Sequence, residues 1–380
     1  MADGADLRAA PLACTVEVST DLDAAAPAWS DLETNGACTA FQARAWLKPW
    51  FEILGAAHGA TPVLVTVRDA KSRRPLMFLP LCLRVAGGAR RIEFADLGVS
   101  DYNAPLLAKD FAPSQAAFAA LWADIVRALP SADLIVLEKQ PDMVAGQANP
   151  LVSLPGVETM RVRAWDLPLP ATREDYDKAL DKVVRKELKR KHKNLEMEGP
   201  VALIDATTEA EAREIFETHL RQRQVRGTPL GDETPLGQAY VKFYDAAFVA
   251  NSTSGFSLLS KLLVGGELGA TLMALHHRDH HLLIMHCFET GRWGKKSPGI
   301  VAVNAAITQQ IAAGTRLFDF TIGNETYKLQ FGVIEHMLRG YEQGLSVLGR
   351  TQIALRRARR TIGTLVRKLP KKYWPKRLRE

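Results

Sequence analysis

A loop of glycine, lysine and serine residues leads into a predicted helix in the last third of the chain. An apolar strand ends near Glu289, and the helix is expected from about Gly299 to Ala313. A helix N-terminus exposes unpaired N–H groups and a partial positive charge, so this loop suits a phosphate or pyrophosphate. The alternative is structural, with Ser297 as the N-cap and Pro298 in the first turn. The candidate anion-binding residues are Lys295, Lys296, Ser297, Pro298 and Gly299.

A second polar loop follows a predicted strand in the first half of the chain. The segment SDYNAP places Asp101, Tyr102 and Asn103 side by side. Three hydrogen-bonding side chains, one of them aromatic, suit a sugar or an amine acceptor at a junction between two units, where ligands often bind. A turn that the aspartate holds through its own backbone is the structural alternative.

Neither the histidines nor the cysteines have the spacing of a metal site. The segment HHRDHH, residues 276–281, places Arg278 and Asp279 where two strands turn, so its four histidines are expected to point to different faces. The cysteines are far apart, and we expect them to be thiols in the core. They are Cys14, Cys38, Cys82 and Cys287. The sequence therefore predicts no metal.

The charge of the chain is concentrated at its C-terminus. The 380 residues carry 49 Lys and Arg against 42 Asp and Glu, and 47% are hydrophobic, which excludes disordered and fibrous classes. Residues 350–380 contain 12 Lys and Arg and one acid, which leaves a net charge of −4 for residues 1–349. A globular domain built wholly around nucleic acid is therefore not expected, and the tail predicts a local electrostatic attachment.

Apolar residues recur at helical spacing through this tail, which is typical of an amphipathic helix on an anionic membrane. The alternatives are a stripe packed back on the domain and a disordered basic tail. The apolar set is Leu355, Ala358, Ile362, Leu365, Val366 and Leu369, followed by Pro370, Tyr373 and Trp374. The start of the chain lacks the features of a signal peptide, and no apolar run reaches the roughly 18 residues of a membrane helix. We therefore expect a cytoplasmic protein that the tail holds at the inner face of the membrane.

Both halves of the chain present the same order of predicted elements. Helices come first, then a hairpin, a further strand, a helix and a buried strand, and the proline-rich segment 141–156 resembles a linker. The sequence therefore predicts an α/β fold of two tandem units, residues 1–156 and 157–348. Each unit has a mixed central sheet flanked by helices, and a basic tail helix follows over residues 349–380.

Several motifs resemble one known family. They are SPG at the start of a helix, then RLFDF with NETYKLQFG, and also FQARAWLKPWFE, LGVSDYNAPLL, YDKALDKVVRKELKRKHKNLEMEG and HLRQRQVRG. Together they resemble the CelD/BcsL-type acyltransferases associated with bacterial cellulose and exopolysaccharide synthesis, over most of residues 40–335. This family belongs to the GNAT superfamily of acyl-CoA-dependent acyltransferases and is similar to the Fem aminoacyltransferases, which contain two GNAT units. The resemblance implies that both units here are GNAT-like.

The resemblance also implies where an acyl-CoA donor binds. Its pyrophosphate would lie on residues 295–299, and its pantetheine would lie between strands that diverge near residues 285–288 and 317–320. Tyr327 follows the last of these strands, at the place where many GNAT enzymes hold a tyrosine near the departing sulfur. It is therefore the candidate acid, with a half-buried structural tyrosine as the alternative.

Acyl transfer also needs a base and groups that orient the acceptor. A histidine ordinarily titrates near neutral pH, so His219 is the candidate base, although a histidine on a helix is more often a polar-face residue. Glu325 and Asp319 are candidates to orient the acceptor, and either could instead be a loop cap. Lys328, beside Tyr327, joins Asp101, Tyr102 and Asn103 as a candidate acceptor-binding residue.

These observations predict a transferase that uses acetyl-CoA or another acyl-CoA to modify an amine or hydroxyl. The resemblance alone suggests the acceptor, an amino sugar or polysaccharide precursor. One rival function is Fem-type transfer from aminoacyl-tRNA. Lysines and arginines form a basic stripe along the predicted helix near residues 178–197, and under this rival the stripe would contact tRNA. Otherwise the stripe is a solvated face of the helix. The other rival is a non-catalytic module that docks at a membrane through the tail. Nucleic acid is expected only under the first rival.

Overall fold

The computed structural model describes residues 12–368, with side chains up to residue 360. Within this range one mixed sheet of 13 strands forms the centre, and a separate two-stranded ribbon (β7, β8) lies beside it. The strands are β1 (Cys14–Ser19), β2 (Thr61–Asp69), β3 (Pro75–Ala86), β4 (Ala89–Phe94), β5 (Leu106–Leu107), β6 (Leu134–Gln140), β7 (Met143–Val144), β8 (Gln147–Ala148), β9 (Glu158–Pro168), β10 (Val201–Asp205), β11 (Ser257–Val264), β12 (Glu267–His277), β13 (His280–Phe288), β14 (Leu317–Ile322) and β15 (Ile334–Gly344).

Helices cover both faces of the sheet. They are α1 (Leu22–Asn35), α2 (Arg44–Pro49), α3 (Gln115–Ala128), α4 (Arg173–Ala179), α5 (Lys182–Glu196), α6 (Glu209–Val225), α7 (Pro235–Tyr244), α8 (Pro298–Ala312) and α9 (Val347–Lys368). Their starts follow ordinary capping chemistry; α6, for example, begins with a capping box between Thr208 and Glu211. The α/β class and the flanking helices are as predicted.

The two halves of the chain repeat one arrangement of strands. In the first half β1 to β4 are antiparallel neighbours and β4 pairs in parallel with β6; in the second half β10 to β13 are antiparallel and β13 pairs in parallel with β14. The crossover helix is α3 in one half and α8 in the other. This repeat confirms the predicted fold of two tandem units of the same α/β type.

One strand of the second unit crosses to the first, so the two sheets become continuous. β9 begins just after the predicted boundary at residue 156 and pairs with β14 and β15. β15, at the end of the second unit, also pairs with β6 of the first. The unit boundary at residue 156 stays a prediction.

One apolar core spans both halves on the face that α1, α2, α6 and α7 cover. The Trp46 ring of the first half lies 4.9 Å from the Phe243 ring of the second, in an edge-to-face arrangement. On the opposite face α8 packs in a separate cluster against Phe318 and Phe320 of β14. Successive strand residues point to opposite faces, so Asp319 points to the α6 side.

The predicted basic helix is present as α9, and its first turns dock on the sheet. Ile353 is buried against Ala89, Leu134 and Val136, and Arg356 pairs with Glu138 at 2.7 Å and Glu342 at 2.9 Å. Leu355 and Ala358 of the predicted apolar stripe are exposed. The side chains of Ile362, Leu365 and Val366, and residues Leu369, Pro370, Tyr373 and Trp374, lie outside the part described. Within residues 12–368 we find no helix with the length and apolarity to span a bilayer.

Candidate active site

The parallel strands β13 and β14 separate after three paired residues. Their ladder ends at the pair Leu282 and Asp319, and beyond it β13 continues to Phe288 while β14 ends at Ile322. The pairing of β12 with β13 shifts register beside Ile284, a bulge of the kind often found next to active sites. The gap between the two strands is called the second divergence below.

Aromatic side chains line the second divergence on the α8 side. The hydroxyl of Tyr327 lies 3.4 Å from Nδ1 of His286, and the two rings are 4.9 Å apart. Gly299, in the first turn of α8, lies against the end of β13, where an added Cβ would be 3.0 Å from Phe288. Gly299 and Tyr327 therefore both lie against His286, and the part of the gap that these three residues border is called the α8 slot below.

Burial keeps both polar groups of this slot neutral at pH 7. It raises the pKa of Tyr327 well above the ordinary value, so the tyrosine stays protonated and can donate a hydrogen bond. It lowers the pKa of His286 to about 4, so this imidazole is uncharged. Our sequence analysis missed His286, although a histidine in the apolar strand HLLIMHCF is a signal that could have been used.

Carboxylates lie on the other face, at the point where the strands separate. Oδ1 of Asp319 accepts hydrogen bonds from the Tyr102 hydroxyl at 2.8 Å and from the Thr321 amide at 2.6 Å. Thr321 has φ of 56°, an unusual conformation for a β-branched residue, and the ladder to β9 is irregular there. The Thr321 hydroxyl donates to the Leu283 carbonyl at 3.4 Å, and Asp101 lies near this side chain. The structure thus brings together three residues predicted from two distant loops, Asp101, Tyr102 and Asp319.

The environment of these carboxylates moves their pKa values towards neutrality. Loss of solvation raises the pKa of Asp319 from its usual 3.8 to about 7, although the bonds from Tyr102 and Thr321 oppose it. The same cause raises the pKa of Asp101 to about 6. A carboxylate with a pKa near 7 can accept a proton at physiological pH and return it to water, which suits a general base.

Side chains pair across the corresponding gap in the first half, which borders a cavity of about 390 Å³. β4 and β6 also separate after three pairs, and Lys139 then reaches Asp96 at 2.7 Å and the Ser100 carbonyl at 2.6 Å. Asn103 donates to Asp96 and to the Glu138 carbonyl, both at 3.1 Å. Asn103 was predicted to bind substrate, but it is buried and holds the loop that carries Asp101 and Tyr102.

A cavity of about 290 Å³ adjoins Asp319 and Tyr102 at the centre of the sheet. Asp166, opposite Asp319 in the ladder, lies in its wall and pairs with His336 at 2.9 Å. The hairpin segment 141–146 forms another part of the wall. This cavity opens on the face of the carboxylates, opposite the α8 slot.

The predicted anion loop is only partly available for an anion. Lys296 pairs with Glu198, which Arg292 also contacts at 2.9 Å, while Lys295 is exposed. Ser297 is the N-cap with a left-handed φ of 58°, and its carbonyl rather than its hydroxyl accepts the bonds of the first turn. Pro298 occupies the first helical position, as expected.

Three further candidates have structural contacts. Lys328 is buried and donates to the Ile322 carbonyl at 2.8 Å, and its ion pair with Glu325 measures 3.1 Å. Both therefore close the turn after β14, and Glu325 is itself exposed. His219 is 0% exposed, bonds to Thr271 at 2.9 Å, and has a pKa that burial lowers to about 3. A base at neutral pH needs a higher pKa, so the structure argues against the role predicted for His219.

The histidine-rich segment forms the ends of β12 and β13. His276 pairs with His281 and His277 with His280 across the turn at Arg278, and only His277 and His280 line the cavity beside Asp319. Arg278 donates to the carbonyls of Glu33 and Gly36 at 2.7 Å. Over residues 12–368 we find no cluster of three or more His, Cys, Asp or Glu arranged to hold a metal ion.

Comparison with known proteins agrees with this geometry. Residues 182–329 match the family model of the acetyltransferase (GNAT) domain, and this stretch includes β13, α8 and β14. Residues 182–329 are therefore a GNAT acetyltransferase domain. No curated protein matches the chain significantly. The narrower CelD/BcsL-type assignment stays a prediction.

Solved structures with very different sequences share the fold of the chain. FemX is similar over 86% of the chain and 96% of its own length, with 8% identity and a TM-score of 0.58. A conserved protein of unknown function from Bacteroides thetaiotaomicron covers 86% of the chain and 99% of its own, with 10% identity and a TM-score of 0.54. A C-terminal domain described as that of a lysylphosphatidylglycerol synthetase from Agrobacterium fabrum covers 88% and 95%, with 8% identity and a TM-score of 0.51. Such low identities show the fold alone.

Proposed function

We propose that the protein transfers an acyl group, acetyl in the simplest case, from acyl-CoA to an amine, with the thioester in the second divergence. The observation that supports this most directly is the pair of opposed polar groups at the gap. A protonated tyrosine lies on the α8 side, and carboxylates with pKa values near neutrality lie on the other. Attack by an amine needs a proton acceptor on one side of the thioester and a proton donor at the sulfur on the other.

Each residue then has a separate task. Asp319 takes the proton from the incoming ammonium, and its bonds from Tyr102 and Thr321 fix the carboxylate. Tyr327 donates a hydrogen bond to the leaving thiolate, and its high pKa means that it solvates the sulfur rather than losing its proton outright. Lys295 and the amides at the start of α8 bind the donor's phosphates.

The acceptor would enter through the cavity between the halves. Its 290 Å³ suit a small molecule or the end of a longer one, and Asp166 and Asp319 in its wall suit an ammonium group. An amino sugar or polysaccharide precursor agrees with these properties, and the CelD/BcsL resemblance supports it. We further propose that residues 350–380 attach the enzyme to the inner face of the membrane, near such acceptors.

Transfer from aminoacyl-tRNA is the second candidate function. Arg185 and Lys189 of the basic stripe on α5 border a groove of about 590 Å³ against α8. A docking module without activity is the third candidate. The carboxylates at the second divergence favour an enzyme, because burying two such groups is costly unless they are used.

A thiol-release assay tests the proposal. Acetyl-CoA is incubated with a panel of amino sugars and simple amines, using the wild type, Asp319→Asn and Tyr327→Phe. We expect an amine-dependent release of CoA that falls at least about a hundredfold in Asp319→Asn. A wild type that releases no thiol with any amine, but transfers an amino acid from aminoacyl-tRNA, would favour the second function.

A further inference from the structure

Two arginines at the end of α6 border the outer mouth of the second divergence. The guanidinium carbon of Arg226, the C-cap of α6, lies 4.1 Å from the centre of the Phe288 ring. Phe288 is the last residue of β13 and also contacts Gly299 at the start of α8. Arg223 is one turn earlier and interacts electrostatically with Arg226 and Cys287. The two cations therefore lie beside the end of β13, at the open end of the gap.

These arginines carry charge without a counterion. Among the side chains that the structure describes, no carboxylate forms an ion pair with Arg223 or Arg226. Arg223 is half-buried, and its Nε is buried without a hydrogen-bond acceptor. The nearest acidic residue along β13, Glu289, already accepts from Gln222 at 3.1 Å. A partly desolvated cation beside a second cation is unfavourable unless an anion joins them.

The position of the two arginines at the end of α6 does not by itself account for both of them. The partial negative charge at a helix C-terminus accounts for a basic residue such as Arg226. It does not account for the unpaired buried Nε of Arg223. A buried N–H donor without an acceptor points to a ligand that supplies one.

We propose that Arg223 and Arg226 bind an anionic group, a phosphate or carboxylate, of a substrate in the second divergence. The inference deepens the proposed function and rests on it for the position of the donor. A guanidinium pair matches the oxygens of either anion through charge-assisted hydrogen bonds. The group is either a phosphate of the donor, near the start of α8, or an anion on the acceptor, which arrives on the α6 side.

Stability of the ligand-free protein separates this role from a structural one. The variants are Arg223→Gln and Arg226→Gln, singly and together, with Arg221→Gln as the control because Arg221 is exposed on the same helix. Removing an unpaired, partly buried charge should leave the melting temperature unchanged or raise it. A marked fall on Arg223→Gln would show that this residue holds the fold together and would contradict the proposal.

Binding identifies the source of the anion. Calorimetry compares CoA with pantetheine, which lacks phosphates. If the donor supplies the anion, the double variant should bind CoA about tenfold more weakly than the wild type and should bind pantetheine with unchanged affinity. If the acceptor supplies it, CoA affinity stays constant, and inorganic phosphate raises the melting temperature of the CoA complex in wild type and Arg221→Gln but not in the double variant.

Equal CoA affinity and equal phosphate stabilisation in all variants would overturn the proposal. Should CoA fail to bind the wild type, the proposed function fails. The anion site is then decided by inorganic phosphate alone, which would still stabilise the free wild type and not the double variant.

Discussion

Replacing Asp319 by asparagine should stabilise the protein, and the gain should grow with pH. The side chain is 7% exposed, and burial raises its pKa from 3.8 to about 7. The native state therefore holds a proton that the unfolded state releases between these values, so stability falls as pH rises through this window. The difference of about 3 pKa units corresponds to about 4 kcal/mol above pH 7.

Asparagine keeps an oxygen for the bonds from Tyr102 and Thr321 and removes only the charge. Urea unfolding of wild type and Asp319→Asn at pH 5 and pH 8 measures the effect. About 1.5 kcal/mol of the penalty is already present at pH 5, so the variant's advantage should grow by about 3 kcal/mol between the two values. Asp124→Asn controls for the loss of one negative charge, because Asp124 is exposed on α3.

A second variant changes the same carboxylate in the opposite way. Tyr102→Phe removes the hydrogen bond that lowers the pKa of Asp319, so that pKa should rise and the loss of stability should extend above pH 7. A difference between wild type and Asp319→Asn that stays flat from pH 5 to pH 8 would refute the reasoning. It would show that Asp319 titrates at its ordinary value.

Three further predictions concern the donor and the tail. Tyr327→Phe should slow single-turnover transfer about tenfold or more with little change in acyl-CoA affinity, and a full single-turnover rate would remove Tyr327 from the mechanism. Changing Lys295 and Lys296 to Met should weaken CoA binding without unfolding the protein, with Lys295 contributing more because Lys296 pairs with Glu198; equal affinity in calorimetry would reject that assignment. Removing residues 361–380 should abolish sedimentation with anionic vesicles at low salt, while the docked turn at Arg356 stays intact. Equal partitioning of the full-length and the shortened protein onto the vesicles would reject the membrane role.

Local sequence patterns were sufficient to predict the repeated order of elements. The hairpins, α8 and its proline start depend on periodicity and capping, which neighbouring residues determine. The pairing of β15 with β6 across the two units was not predictable, because both strands have ordinary patterns and are distant in the chain.

In the candidate site too, local motifs were recognisable from the sequence, but contacts between distant residues were not. Tyr327 and the polar loop at Asp101 were recognisable as motifs. The bond between Tyr102 and Asp319 joins residues 217 positions apart, and only the fold reveals it. The ion pair of Lys296 was hidden for a related reason, because Glu198, its partner, lies 98 positions away. Asn103 and Lys328 have the residue types of a binding site, and only the fold shows that both are buried and bonded to backbone carbonyls.

Hydrogen–deuterium exchange with and without acetyl-CoA locates the donor site. Donor binding in the second divergence should slow amide exchange in residues 283–288, at the start of α8 and in residues 320–331, because those amides would be covered or ordered by the ligand. Residues 91–98 and 137–140, which border the gap of the first half, should be unchanged. Protection confined to the first half, or no protection anywhere at saturating acetyl-CoA, would contradict the account.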